Sequence, residues 1–522
     1  MYLYVIAGLL LYLAEPPFGL WPLGFIALIP VLHAAQRVRN YRTAALGGFL
    51  AGATFFVPGL FWLTSTTVIG WVALALYCAT YVAVFALLAR FTSSVMALAG
   101  GWIVLEFIRG TIAFTGFPWL LLSHSQYGFT PFSQILDVIG AYGLSGLLMA
   151  LNVLIWKGAL LGKRNHLIIA GGIVACVCIY GFVRMYTVPL DRAQHIALVQ
   201  ASVPQEMKEA LNEETYDPQE GLSRYLKASA EIPRNQEIDL LVWPETVVLS
   251  PFTLNVDPEI LNEGLAKPAR FAQDSLGGLA KSVGGYFLAG STSFLPAHYG
   301  YVSDPEVARK IPDGNWRRRY NSAYLLDPNG RYVDRYDKIH LVPFGEYIPL
   351  RKTLPFLARF VPFDASLSAG EKQTMFQMNR DGRTLKFGVL ICYEDTDSEL
   401  ARRLRRDGAD FLVNISNDAW FGLSELDQHY VTARFRAIEN RVGVVRSGNN
   451  GLSGLIDPLG RSVLLLDKNE IGSATGDLWI TDAWSFYTQV GDLPAVVASG
   501  FVLILEFARR KRTANKRADS KV

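Results

Sequence analysis

Of the four cysteines in this 522-residue chain, Cys78, Cys176 and Cys178 fall in long apolar segments, and Cys392 alone lies in a stretch that reads as soluble. A thiol without a partner in its own domain is a candidate nucleophile as well as ordinary packing. Cys392 closes the apolar run VLIC and is followed at once by YEDTDSE, so the pattern places it at a strand end, where loops build sites. A cysteine attacks as the thiolate and needs a base or a cation beside it. Glu245, at the end of DLLVWPE, and Lys338, within RYVDRYDKIHLVPFGE, stand at comparable junctions. A partly buried carboxylate suits a general base. An ammonium stabilises the oxyanion of a tetrahedral intermediate, helped by the backbone N–H after the nucleophile, that of Tyr393. Singly, a Glu or a Lys is usually a surface charge. Three such residues far apart in sequence require a fold to assemble them.

The elements that would do so begin near residue 195. Short runs rich in valine, leucine and isoleucine (HIALVQA, DLLVWPE, GYFLAGS, NSAYLLD, KFGVLICYED, DFLVNIS and VGVVRSG) alternate with polar, helix-compatible stretches. Runs this short and apolar predict buried strands. DPNG at 327–330 and DPLG at 457–460 signal turns between strands, and 425–441 has helical spacing. A layered α/β domain follows.

The rest of the chain is of another kind. Hydrophobic residues make up 51% and charged residues 18%, a balance too apolar for a soluble chain and too charged for one lying wholly in lipid. Seven apolar segments precede the soluble part, near 2–14, 19–35, 44–64, 70–89, 92–109, 143–162 and 167–184, and an eighth spans 493–508. The first is short for a span and lacks the basic start of a signal peptide, so it reads as an abbreviated helix. Arg37, Arg39, Arg42, Arg90, Lys157, Lys163, Arg164 and the tail from Arg509 fall on one side by helix parity, which predicts that side to be cytoplasmic and the soluble domain to lie outside. The aromatic stretch GFPWLLLSHSQYG within 110–142 suits a cap at the interface. Glu106 and Arg109, three apart near its mouth, read as an intramembrane ion pair.

The set WPE (243–245), YDKIHLVPFGEYIP (336–349) and LICYED (390–395) resembles the Glu-Lys-Cys triad of the nitrilase superfamily. With PPFGLWPLGFIAL, EFIRGTIAFTGFPW, VQASVPQ and NISNDAWFG in order, the chain is more closely similar to the apolipoprotein N-acyltransferases, the membrane-bound branch of that superfamily. The resemblance implies a multi-pass α-helical membrane domain joined to an α/β nitrilase-like αββα sandwich. It implies Glu245 as base, Lys338 as oxyanion stabiliser and Cys392 as nucleophile, with Glu346, Tyr393, Glu394 and Trp420 in supporting or substrate-binding positions. The expected domains are 1–188, transmembrane with about seven helices; 189–490, catalytic and extracytoplasmic; and 491–522, a last helix and a basic cytoplasmic tail. The reaction implied moves a fatty acyl chain from a phospholipid, typically phosphatidylethanolamine, through a cysteine thioester to the α-amine of a diacylglyceryl-cysteine on an apolipoprotein, at the bacterial inner membrane with the active domain on the periplasmic side.

Other readings remain open at this stage. A membrane-tethered amidase would pass the acyl group to water, and a transporter or a lipid-binding scaffold would need no chemistry, though transporters generally carry more intramembrane polar sites. LPFLARFVPF (354–363) suits a lid dipping into the interface or a packing loop. Arg402, Arg403, Arg405 and Arg406 read as a solvated face. His340 and His429 look too isolated to hold a metal, no nucleotide loop is present, and neither a cofactor nor a nucleic-acid partner is implied.

Overall fold

The computed structural model describes residues 1–112, 116–204, 218–233, 235–248, 263–294, 319–349, 351, 353, 356, 367–380, 382–421 and 423–519. The chain divides into two compact units. One comprises Met1–Val188, Ile438–Asn440 and Trp484–Val522, and the other Pro189–Ala437 and Arg441–Ala483.

In the first unit four helices among the described residues are long and apolar enough to cross a membrane: Val68–Phe91, Val95–Ile112, Leu136–Leu160 and Asn165–Thr187. The 19-residue helix Tyr41–Gly59 packs on the first of these through small residues. A Cβ at Gly48 would lie 2.6 Å from the Val82 carbonyl oxygen, and one at Gly52 2.6 Å from the Ala79 Cα. The segment 19–35 differs from its expected single helix. It forms a 3₁₀ turn, Trp21–Phe25, and then a nine-residue helix, Ile29–Arg37, each with a proline in its first turn. A proline has no N–H to continue a helix through it. The broken backbone is tolerated because side chains satisfy it. Asn152 accepts from Leu28 N at 2.9 Å and donates to Gly24 O at 2.9 Å, and Gln126 donates to Trp21 O at 3.0 Å. The last apolar segment lies inside helix Leu493–Asp519.

Glu106 and Arg109 are both buried, but each grips backbone. Glu106 accepts from Leu122 N at 2.9 Å, while Arg109 donates to Trp119 O at 2.7 Å and Leu120 O at 3.3 Å. The charges expected to pair with each other thus tie down the 119–122 loop.

Among the described residues the second unit contains twelve strands in two six-stranded sheets. The first sheet holds β1 (Asp191–Gln200), β2 (Leu240–Val242), β3 (Tyr286–Phe294), β4 (Arg319–Leu326) and β5 (Tyr332–Asp337). The second holds β6 (Met375–Arg380), β7 (Arg383–Ile391), β8 (Phe411–Ser416), β9 (Gly443–Gly448), β10 (Ser453–Ile456) and β11 (Ser462–Leu466), and β12 (Gly472–Ile480) returns to the edge of the first beside β1. Each sheet has three parallel strands at its centre, β1-β2-β3 and β7-β8-β9, flanked by antiparallel ones. All seven sequence-predicted strands lie in these sheets. Of the others, β5, β6, β11 and β12 lie at sheet edges, β5 with its first three residues exposed, and β10 is a buried strand of only four residues, SGLI. The DPNG and DPLG turns close two like-built hairpins, in which Asp327 and Asp457 accept from Arg331 N and Arg461 N at 2.9 Å.

Helices Pro218–Ser229 and Glu263–Val283 cover the outer face of the first sheet, where Tyr225 and Leu276 pack with Trp243, Phe287 and Tyr324. Helices Ser398–Arg406 and Leu423–Asn440 cover the second sheet through Leu400, Leu404, Ala433 and Ala437. With β1 against β9 and β4 against β7, the arrangement is αββα. The arginine run of 402–406 is only partly solvated, because Arg402 is buried against Glu399 and Arg405 donates to Ala409 O at 2.8 Å and Thr481 O at 2.7 Å.

Gly290 of β3 has the Pro244 carbonyl and, at 2.6 Å, the Glu245 Cα where a Cβ would stand. The close approach seats the turn that carries Glu245. Gly290→Ala is therefore expected to lower stability by about 1–3 kcal/mol by overpacking, read as a fall in thermal midpoint, and to reduce activity beyond that fall by displacing Glu245.

Candidate active site

Cys392 leaves the end of β7 in a left-handed backbone conformation, φ +52°, as the first residue of the 3₁₀ turn Cys392–Thr396. A non-glycine residue in that region costs free energy and persists where its surroundings over-determine it. Here they do so from both sides. Ile391 N donates to Glu394 Oε2 at 2.8 Å, and the Cys392 carbonyl accepts from Asn414 Nδ2 at 3.1 Å and His429 Nε2 at 3.3 Å. Tyr393 follows, buried edge-on to the His340 ring at 5.6 Å.

Glu245 stands just past β2, where Trp243 anchors the chain through Ser229 Oγ at 3.0 Å. Its Oε1 accepts from Asn321 Nδ2 at 2.5 Å and its Oε2 from Asn417 N at 2.7 Å. Lys338 follows β5 and is 1% exposed. Its ammonium lies 3.0 and 2.9 Å from the two oxygens of Glu346 and 3.9 Å from Glu245 Oε1, the last an ion pair too long for a hydrogen bond. Asn321, in β4, joins the carboxylates: the same Nδ2 reaches Glu346 Oε1 at 3.0 Å, and its backbone carbonyl accepts from Lys338 N at 2.8 Å. Val342 N closes the loop around Glu346 Oε2 at 2.8 Å.

Glu394 braces the nucleophile turn against the lysine segment. Besides Ile391 N it accepts from Tyr336 Oη at 2.8 Å, Ile339 N at 2.7 Å and His340 N at 3.0 Å. Trp420 lies half-buried in the 3₁₀ turn Asp418–Trp420, directly after the Asn417 amide that binds Glu245.

The electrostatics follow from burial and charge count. Burial would pull the Lys338 pKa down, but Glu346 and Glu245 outweigh it and hold the group above its ordinary range, so it stays an ammonium. Burial and then the Glu245 charge push the Cys392 thiol up, with Lys338 and His429 only partly offsetting them. The resting thiol is therefore protonated, with a carboxylate and an ammonium in electrostatic reach. Such a set can take a thiol proton, deliver a sulfur nucleophile to a carbonyl and stabilise the oxyanion.

Residues that sequence reasoning did not single out complete the site. Asn321, Asn414 and Asn417 hold the charged groups, and behind Cys392 lies a buried set of Asp395, Asp418, Glu425, His429 and Arg446. Asn414, Asn417 and Asp418 sit inside the motif NISNDAWFG, whose polar density was the available signal. The isolation expected of His429 is corrected. Asp395 is 2.9 Å from Nε2, and Asp418 and Glu425 are 3.3 and 3.1 Å from Nδ1, because segments distant in sequence converge. Ligand-type atoms of Asp418, Glu425 and His429 lie within 4.8 Å of one another. Arg446 already supplies a positive charge there, 3.2 Å from both Asp395 and Asp418. Of the lid segment 354–363, all but Phe356, which is exposed, lies outside the described residues.

Comparison with known proteins gives two family matches. Residues 7–154 match the apolipoprotein N-acyltransferase N-terminal domain, and residues 195–483 match carbon-nitrogen hydrolase. The apolipoprotein N-acyltransferase of Geobacter metallireducens is 33% identical, covering 97% of this chain and 95% of its own. That of Rhodopseudomonas palustris is 30% identical, over 97% and 94%. Among solved structures, an amidase from Nesterenkonia sp. is 20% identical, covers 59% of this chain and 97% of its own, and has a TM-score of 0.38.

The raised thiol leads to a pH prediction. Alkylation of Cys392 by iodoacetamide is expected to have its pH midpoint above the ordinary thiol value of about 8.5. In Glu245→Gln the midpoint moves down, since a negative charge that disfavours the thiolate has gone. Alkylation rates measured from about pH 7 to about pH 10.5, bracketing that ordinary value, check both signs.

Proposed function

Because the chain belongs to the apolipoprotein N-acyltransferase family and is a membrane-bound acyltransferase, we propose that Cys392 carries the acyl group, Glu245 moves its proton and Lys338 stabilises the oxyanions. The observation that carries the assignment is the burial of a thiol, a carboxylate and an ammonium together at the strand ends of one αββα unit.

In the first half-reaction Glu245 takes the thiol proton as Sγ attacks an ester carbonyl of a phospholipid. A C–S bond forms, the C–O bond breaks, and the proton passes from Glu245 to the departing glycerol oxygen, leaving a lysophospholipid. In the second, the α-amine of a diacylglyceryl-cysteine attacks the thioester. A C–N bond forms, the C–S bond breaks, and Glu245 moves one amine proton to the sulfur. Both intermediates place an oxyanion for Lys338 and the Tyr393 N–H, where loss of one donor typically costs about 10²–10³-fold. Glu346 keeps Lys338 charged and aimed while Asn321 holds the two carboxylates in register. Glu394 holds the nucleophile turn, and Trp420, in the turn directly after the Asn417 amide that binds Glu245, is our candidate wall for substrate. Phosphatidylethanolamine is the donor we propose, and no cofactor is required for these steps.

We place the enzyme in the bacterial inner membrane with its catalytic unit on the periplasmic side. Positively charged short loops support that orientation. Three basic segments also meet at one end of the first unit, where Arg90 stacks on Tyr41 at 5.6 Å, Arg510 on Phe91 at 5.1 Å, and Thr92 Oγ1 bonds Glu506 at 2.6 Å. The proposed domain limits stay 1–188, 189–490 and 491–522.

Intact mass of purified protein incubated with phosphatidylethanolamine and no acceptor tests the mechanism. Wild type is expected to gain one fatty-acyl mass that a diacylglyceryl-cysteine peptide discharges, and Cys392→Ala to gain none. Equal acylation of the mutant sinks the thioester. Lys338→Met is expected to lose about 10²-fold or more in acylation rate.

A further inference from the structure

The peptide plane between Cys392 and Tyr393 is fixed from behind the site. A trans peptide points its C=O and N–H in opposite directions. Whatever holds the Cys392 carbonyl therefore also aims the Tyr393 N–H. Two side chains hold it, Asn414 Nδ2 from β8 at 3.1 Å and His429 Nε2 from helix Leu423–Asn440 at 3.3 Å. The His429 nitrogen that faces this carbonyl also faces Asp395 Oδ1 at 2.9 Å. One neighbour is a carbonyl oxygen and the other a carboxylate oxygen, so Nε2 carries a hydrogen and donates.

His429 cannot turn away. On its far side Nδ1 meets Asp418 at 3.3 Å, Glu425 at 3.1 Å and Arg446 Nη2 at 3.1 Å. Arg446, fully buried in β9, in turn grips Asp395, Asp418 and Asn414 Oδ1. One guanidinium thereby fixes the two residues that hold the carbonyl and the aspartate that orients the imidazole. Such a buried, mutually bonded polar set rigidifies what it touches. It hydrogen-bonds the backbone of the nucleophile and reaches the thiol only through charge, His429 partly offsetting its rise, which sets it apart from Glu245, Lys338 and Glu346.

We infer that His429, held by Asp395 and Arg446, is a positioning residue that together with Asn414 sets the 392–393 peptide plane and so directs the Tyr393 N–H at the oxyanion. The inference rests on the thioester reading above and adds the part of the protein that builds its oxyanion site.

Two reactions of the same sulfur separate this role from a general structural one. Acylation by phosphatidylethanolamine builds an oxyanion, whereas alkylation by iodoacetamide displaces iodide at a saturated carbon and builds none. In the full-length protein, His429→Leu is expected to slow single-turnover acylation by about 10- to 100-fold, less than or equal to the loss of a direct donor. Alkylation compared per thiolate, from the pH profile of each protein, should change by less than about 3-fold, since loss of the His429 charge acts on the thiol's protonation and an attack at saturated carbon draws only on the thiolate. His429→Gln, whose amide can donate to the carbonyl, should recover most of the acylation. If His429→Leu does not fold, judged by its thermal midpoint, the near-isosteric Asn414→Asp removes the other donor and should show the same split. Equal slowing of both reactions, unchanged acylation, or no recovery in His429→Gln overturns the inference. Absence of any acyl-enzyme in wild type overturns instead the thioester reading on which it rests.

Discussion

A lysine ammonium at 1% exposure sets the constraint around which the site of the second unit is built. An unpaired charge in such a place costs several kcal/mol, so the fold around Lys338 has to supply anions and then stop those anions repelling each other. Glu346 supplies the close contact and Glu245 a longer one, and Asn321 lies between the two carboxylates with one amide nitrogen donating to both. Two carboxylates against one ammonium leave a surplus negative charge, and burial first, then the Glu245 charge, keep the Cys392 thiol protonated at rest. That surplus fits the proposed chemistry, because a base that must take a proton works best where the proton is not already lost.

The two sheets divide the work. Residues within or following strands of the first sheet, Glu245, Asn321 and Lys338, contribute the charges and the amide between them. Residues within or following strands of the second, Cys392, Asn414, Asn417 and Arg446, contribute the nucleophile and the groups that hold its backbone and its base. Cys392 and Glu245 both leave the carboxyl ends of parallel strands, the usual place for sites in α/β sheets. Glu394 spans the division, since its four donors come from both the lysine segment and the nucleophile strand. The left-handed Cys392 backbone is the strained point where these constraints meet.

The membrane unit meets a different constraint, the absence of water to satisfy backbone groups. Where its chain is not helical, around 19–28 and 119–122, buried Asn152, Gln126, Glu106 and Arg109 take over the hydrogen bonds that water would make. Intramembrane polar residues here thus build the scaffold, and the charged pair noticed in the sequence belongs to that task.

Much was legible from sequence because it depends on local pattern. Seven buried strands announced themselves as short apolar runs, two hairpins as Asp-Pro-Xaa-Gly turns, and the helices long enough to span a membrane as long apolar stretches. Cys392 and Glu245 stood out because each ends an apolar strand run with a reactive group, and Lys338 because it stands in the motif YDKIHLVPFGEYIP at a comparable junction. The edge strand β5 left no apolar run, since half of it faces solvent, and β11 offers only the short run VLLL, whose first residues are exposed. The break at 19–35 was hidden because composition does not say whether Asn152 will be there to satisfy it. His429 looked solitary in the chain. Glu425 shares its helix, but Asp395 and Asp418 come from other stretches that only the packing of helix on sheet brings to it. The sequence by itself determined the kinds of chemical group and the order of the elements, since those follow from residue type and periodicity. Which carboxylate faces which cation, and which side chains hold the nucleophile's carbonyl, were decided by tertiary structure, because hydrogen bonds and ion pairs act over a few ångströms between residues tens to hundreds of positions apart.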